Sequence, residues 1–176
     1  MPEATAPAVQ MIGPLGRRDG PTNAYCPIAR TLDVVGARSA FLILRESLYG
    51  STRFEQFVER AGVSEPVTAA RLGELTADGL LEKVPYREPG QRTRHEYRLT
   101  EKGADLFPAL AAMMAWGDRW LFPDRARVHL THAGCGGEIG TALTCDAGHE
   151  VSAGEVQLEA RKRAESTAPL EGSTAP

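Results

Sequence analysis

Leu80-Leu-Glu-Lys-Val-Pro-Tyr-Arg-Glu-Pro-Gly-Gln-Arg-Thr-Arg-His-Glu-Tyr-Arg-Leu-Thr-Glu101 reads as a strand, an arginine-rich turn, a returning strand and a capped helix start. Leu80 to Arg87 and Arg94 to Leu99 are extended runs, and Glu88-Pro89-Gly90-Gln91 between them carries the Pro-Gly signal of a turn. Thr100 follows as an N-cap for a helix expected to run about 20 residues, or about 30 Å. A basic hairpin of this kind beside two short helices is a wing, so the segments before it decide the fold.

Working backwards, Ser64 stands as an N-cap with Pro66 in the first turn of a helix. A step of 100° per residue places Val67, Arg71, Leu72 and Leu75 on the inner side of that helix, and Pro66, Ala69, Ala70 and Gly73 on the outer side. Phe54, Phe57 and Val58 form a shorter amphipathic segment ending at Gly62, which completes a helix-turn-helix pair. Upstream, Ile28, Leu32 and Val35 lie at helical spacing over Pro27 to Val35 and stop at Gly36. Arg38 to Tyr49 is apolar around most of its circumference and ends at Gly50, the pattern of a buried central helix. Downstream, Leu106, Leu110, Met113, Gly117 and Trp120 form one stripe, and Phe107, Met114 and Leu121 a second. A helix with two apolar faces needs two partners, and the commonest second partner is a symmetry mate.

The expected fold class is therefore mainly α with small β (α+β): a winged helix-turn-helix with a long C-terminal dimerisation helix and a short β-rich C-terminal extension. The expected domains are a flexible tail over 1–24, rich in Pro, Gly, Ala and Thr, the DNA-binding and dimerisation domain over 25–122, a small β-hairpin extension over 123–160 and a second tail over 161–176.

Composition bounds the function. The 176 residues, 42% of them hydrophobic, suffice for one core of about 100 to 150 residues. A net charge of −3 excludes a nonspecific polycationic coat for nucleic acid, so DNA contact has to come from local charge. The first 20 residues lack a signal-peptide core and no long apolar run exists, which points to a cytoplasmic protein without a membrane partner. Three cysteines at wide spacing do not make a secreted disulfide framework.

Local charge gathers on the hairpin, where Arg87, Arg92, Arg94, His95 and Arg98 outnumber Glu88 and Glu96. Arginines there suit phosphate clamping and a narrow minor groove, with an ordinary solvated hairpin laced by salt bridges as the plain alternative. The residues expected at DNA are Arg53, Ser64, Thr68, Ala69, Arg71, Arg92 and Arg94. Arg71 has a structural alternative as an ion-pair partner of Glu74 or Glu55. Ala69 and Ala70 suit thymine methyls, and Gly73 permits close approach. Cys26, just before Pro27 at a helix start, is the candidate sensor thiol, against the plain reading of a small buried side chain. His132, Cys135, Cys145 and His149 bracket an expected strand pair, Gly137 to Thr144. They suggest a tetrahedral Zn²⁺ site, weighed against a metal-free hairpin, and the metal-free reading is preferred. No nucleophile-base pair, phosphate loop or paired carboxylates suggest catalysis, so neither an enzyme nor a cofactor is expected.

In order along the chain, Cys26-Pro27-Ile28, Leu32-Asp33-Val34-Val35-Gly36, Ile43-Leu44-Arg45-Glu46, Arg53-Phe54, Arg71-Leu72, Glu74-Leu75, Gly79-Leu80, Glu96-Tyr97-Arg98-Leu99-Thr100 and Trp116-Gly117 resemble the HxlR-type winged-helix transcriptional regulators, relatives of the dimeric multiple-antibiotic-resistance-type regulators. The resemblance implies a homodimer, commonly a repressor, on an inverted-repeat double-stranded DNA operator. It also implies regulation through the early cysteine or a small-molecule effector. Three departures stand out. Ala37 and Ser39 replace a capping Asp and a bulky Trp, which leaves volume to be filled by neighbours or by a small cavity near Cys26. The outer face of the recognition helix lacks Lys, Gln and Arg. Cys145-Asp146-Ala147-Gly148-His149 has lost one cysteine of a knuckle found in some relatives. The bare recognition helix motivates an alternative function, an interaction or ligand-binding module without specific DNA recognition.

Overall fold

The computed structural model describes residues 9–13, 15, 26–90, 92–122 and 128–159. In chain order the elements are β1 (Gln10–Met11), α1 (Pro27–Val35), α2 (Arg38–Leu48), α3 (Phe54–Ala61), α4 (Glu65–Ala77), β2 (Leu81–Tyr86), β3 (Arg94–Leu99), α5 (Glu101–Ala104), α6 (Phe107–Leu121), β4 (Leu143–Thr144), β5 (Glu150–Val151) and β6 (Gln157–Leu158). They fall into two units: residues 23–142, and residues 1–22 together with 143–176.

The larger unit is built on α2, whose Ala40, Ile43 and Leu44 are buried against Phe57 and Ala61 of α3, Leu72 and Leu75 of α4, and Leu80 and Leu81 at the start of the wing. α3 begins where Gln56 turns its side-chain oxygen back to accept the N–H groups of Thr52 and Arg53, at 2.9 and 3.0 Å. Two otherwise orphaned donors are satisfied in this way. It ends at Gly62, whose φ of 65° supplies the left-handed residue the tight turn into α4 requires. β2 and β3 pair antiparallel from Leu81↔Leu99 to Tyr86↔Arg94. The wing is tied to the body by the Tyr97 N–H donating to the Thr52 carbonyl at 2.7 Å and by Tyr97 meeting Phe57 edge to face. Thr100 closes it: its hydroxyl donates to the Gly79 carbonyl at 2.7 Å and accepts from the Gly103 N–H at 3.1 Å.

The helix after the wing is not continuous. α5 stops at Ala104, and α6 starts at Phe107 with Pro108 in its first turn. Proline has no N–H for the Ala104 carbonyl and its ring crowds that carbonyl, so a single helix of 20 residues is interrupted here. The stripes also differ from expectation. Ala111 is buried and Leu106, Leu110, Met114 and Gly117 half-buried, whereas Met113, Trp116 and Trp120 are 55, 58 and 61% exposed. On α1, Val35 is buried but Ile28 and Leu32 stand 72 and 54% exposed. The chain thus leaves part of both helices' apolar surface in water.

In the smaller unit, β1 pairs in parallel with β6, Gln10↔Gln157 and Met11↔Leu158, so part of the segment expected to be a tail contributes a strand. The rest of the expected N-terminal tail, apart from Val9, residues 12–13 and Leu15, and all of 161–176 lie outside the described residues. β4 pairs antiparallel with β5 around the turn Cys145 to His149. Farther on, the Ser152 N–H and hydroxyl both donate to the Glu155 carboxylate at 2.8 Å, and the backbone bond foremost holds that carboxyl below its usual range. The strand pair expected over Gly137 to Thr144 does not form. Each half of the His/Cys pattern sits at the tip of its own hairpin, because Gly136 and Gly148, at φ 72° and 83°, each allow a separate tight turn.

Candidate nucleic-acid interface

α4 presents Glu65, Pro66, Val67, Ala69, Ala70, Gly73 and Glu74 to solvent. Ala69, Ala70 and Gly73 are outward as expected. Val67 and Thr68 exchange the expected roles. Val67 is 38% exposed, and Thr68, expected at DNA, is fully buried at 0%. The buried phase of the helix is Thr68, Leu72 and Leu75, an i, i+4, i+7 line. Thr68 is tolerated inside because its hydroxyl donates to the Ser64 carbonyl at 3.1 Å, leaving no unsatisfied polar atom. We expect Thr68→Ala to lower unfolding free energy by about 1–2 kcal/mol through a lost hydrogen bond and a small cavity. DNA affinity measured below the melting range should stay within about twofold of the wild type. A selective loss of affinity with unchanged stability would restore Thr68 to the interface.

Ser64 occupies the N-cap position of α4 and is exposed, but its hydroxyl makes no capping bond. It stands free beside the helix N-terminus, where backbone N–H groups favour an anion. Arg71 takes the structural role. Its Nε donates to Ser39 Oγ at 3.1 Å and its NH1 pairs with Glu74. The guanidinium therefore links α4 to the start of α2 at the position where a bulky residue was expected to be missing. That volume is reached by a side chain 32 positions away.

Two ion pairs brace the wing against α3. Arg53 pairs with Glu88 at 3.0 Å and lies over the Tyr86 ring at 4.8 Å. Arg94 reaches Glu55 at 3.4 Å, and Arg98 pairs with Glu96 at 3.1 Å. Arg92 is exposed and has no ion pair among the described residues. Pairs this exposed are worth about 0–1 kcal/mol, and a charge-assisted bond to phosphate is stronger than a neutral one. Exchange of Glu55 and Glu88 for a DNA backbone is thus inexpensive. The arrangement brings Arg53 and Arg94 to the junction of α3 and the wing, with Arg92 exposed on the wing, and leaves α4 with a small-residue surface.

Cys26 is half-buried at the N-cap of α1, and its carbonyl accepts the Arg30 N–H at 3.1 Å. A cavity of about 250 Å³ lies elsewhere, between α2 and α6, walled by Phe41, Leu42, Leu48, Tyr49, Leu110 and Met114 among others. Its walls come chiefly from two helices about 60 residues apart, and Ser39 is not among them. Among the described residues no group of three or more His, Cys, Asp or Glu is placed to hold a metal ion. No helix among them is long and apolar enough to cross a membrane.

Comparison with known proteins agrees with this geometry. The profile of the HxlR-like helix-turn-helix family matches residues 34–125. Rv3095 of Mycobacterium tuberculosis and Mb3122 of Mycobacterium bovis, both described as uncharacterised HTH-type transcriptional regulators, are each 40% identical over 134 residues, 75% of this chain and 84% of theirs. The crystal structure of PA1607, provisionally described as a transcription factor, superposes with a TM-score of 0.69 at 36% identity, covering 77% of this chain and 94% of that one. PA1374 of Pseudomonas aeruginosa, described in the same way, gives 0.57 at 31% identity, covering 80% of this chain and 96% of that one.

Proposed function

The chain belongs to the HxlR-like helix-turn-helix family of transcriptional regulators, and from that premise we propose that it acts in the cytoplasm as a homodimeric repressor on an inverted-repeat operator. The observation that carries the reading is the pairing of a braced arginine wing with a recognition helix whose outer face is small and apolar. Arginines beside the α3 N-terminus hold phosphates and set register. Ala69, Ala70 and Gly73 let the helix backbone come close to the major-groove floor, where thymine methyls are read. Specificity then leans on DNA shape and deformability more than on hydrogen bonds to base edges. The proposal includes no catalytic step.

Two routes for a signal fit the protomer. One is covalent change at Cys26, which sits where α1 begins. The other is a small apolar effector in the cavity between α2 and α6, whose volume suits a ligand of one or two rings. Either biases the position of α6 against the helix-turn-helix, and so the spacing of two half-sites about one helical turn apart.

The test is affinity for the DNA upstream of the protein's own gene as a function of salt. Each phosphate neutralised contributes about 0.9 to the slope of log K against log salt. Arg92→Ala should lower that slope by about 1 per protomer and weaken binding to all sequences alike. A second reading rests on Glu65 and Glu74 flanking a helix face without a basic side chain, which suits a module that binds protein or ligand and no longer reads DNA. Salt-insensitive or absent duplex binding by the wild type would favour it.

A further inference from the structure

The loop from Leu130 to Ile139 holds chemistry that DNA binding does not use. The Ile139 N–H donates to the Leu130 carbonyl at 2.8 Å, Thr131 bridges Glu138, and the His132 N–H donates to the Gly137 carbonyl at 2.8 Å. At the tip, the Cys135 and Gly136 N–H groups donate to the His132 carbonyl at 3.3 and 2.7 Å. This turn sets His132 Nδ1 3.2 Å from Cys135 Sγ. Both side chains are exposed, and Cys135 is the most open thiol of the three, Cys26 and Cys145 being half-buried.

The glycines around the pair keep it open. A Cβ on Gly134 would lie 2.9 Å from His132 Cε1, and one on Gly137 3.3 Å from Cys135 Sγ. Any side chain at Gly134 would push the imidazole, and one at Gly137 would crowd the sulfur. Among the described residues no other thiol has an imidazole within hydrogen-bond reach.

We propose that His132 and Cys135 form a thiol–imidazole dyad, a covalent modification site for soft carbon electrophiles of the α,β-unsaturated carbonyl class. With its own proton on Nε2, the imidazole accepts the thiol proton at Nδ1 as Sγ bonds to the β-carbon. The electron pair of the carbon–carbon double bond moves toward the carbonyl to give an enolate. The imidazolium then returns the proton to the α-carbon. The net change is addition of S–H across the double bond, with no oxidant and no leaving group. The site is distinct from the arginines of the wing and stands or falls independently of operator binding. Leu130, at the base of the loop, is also a wall of the α2–α6 cavity, so His132 of the dyad lies two residues from that wall along the chain.

The experiment follows alkylation of each cysteine of the full-length protein by N-ethylmaleimide at neutral pH, by quenched mass spectrometry of peptides, with and without EDTA. Cys135 should react first. Its rate should fall about tenfold in His132→Ala and in Gly134→Ala, while Cys26 and Cys145 keep their rates and so report intact folding. A Cys135 rate unchanged in both variants, or slower than that of Cys145 in the wild type, overturns the dyad. So does a Cys135 that reacts only after EDTA is added, which would make it a metal ligand instead.

Discussion

Trp116→Glu combined with Trp120→Glu should turn the proposed homodimer into a monomer and weaken binding to its proposed operator at least about a hundredfold, the loss expected when two linked half-site contacts become single ones. Both indoles are more than half exposed in the protomer, with Met113 on the same helix and Ile28 and Leu32 of α1 similarly uncovered. In the proposed homodimer a two-fold axis through this face would bring the same patch together with itself, so that four indoles enter one interface. At roughly 2–3 kcal/mol for each large apolar side chain buried, they supply on the order of 10 kcal/mol, comparable to the association cost of about 4–15 kcal/mol. Glutamates remove that term and place like charges across the axis. Sedimentation velocity reads the mass and gel shift the affinity. The exposed positions predict little change in protomer helicity. A doubly substituted protein that sediments as a dimer would place the interface elsewhere.

Gly103→Ala should cost about 3 kcal/mol of stability, a fall in melting temperature of ~10 °C. A Cβ there would lie 2.2 Å from the Leu80 carbonyl oxygen and 2.9 Å from Leu99 Cδ2. The first of these is backbone, which cannot swing aside as a side chain does. The same carbonyl accepts the Thr100 N–H at 3.1 Å, so the shift pulls on the bond that closes the wing. Stability measured by thermal or urea unfolding should therefore fall together with protection of wing amides in hydrogen exchange. Gly73→Ala offers the contrast: a Cβ there meets nothing within 4 Å, and alanine is the better helix former. That variant should be as stable as the wild type or slightly more, by up to about 1 kcal/mol. A Gly103→Ala protein as stable as Gly73→Ala would mean that α5 does not pack on the wing as described.

The order of elements was legible because it is written in short-range signals. Thr100 before Gly103, Gly62 between two amphipathic runs and Pro89-Gly90 between two extended ones act over two to four residues. The structure has the Thr100 cap, the left-handed turn at Gly62 and the hairpin. The site was less legible. Local charge singles out Arg92 and Arg94, and position at a helix start singles out Arg53, but the acids that hold Arg53 and Arg94 lie 35 and 39 positions away. Thr68 was misplaced because a 100° step leaves the phase of a weakly amphipathic helix open by one residue. A threonine looks polar until the carbonyl that satisfies it is located. Pro108 carries a local signal for the break between α5 and α6, against the apolar periodicity that runs from Leu106 to Leu121.

Periodicity, caps and turn residues thus determined a helix-turn-helix, its wing and the helices around it, since each depends on neighbours close in the chain. Contacts between distant residues decided the rest. The packing of α2 against α4 turned Thr68 inward and sent Arg71 to Ser39. The approach of the wing to α3 paired its arginines. Trp116 and Trp120 stay more than half exposed, Trp120 with the Arg119 guanidinium over its ring, which leaves an apolar face open on α6. A side chain's partner is set by whatever the fold brings within a few ångströms, and sequence spacing does not encode that distance.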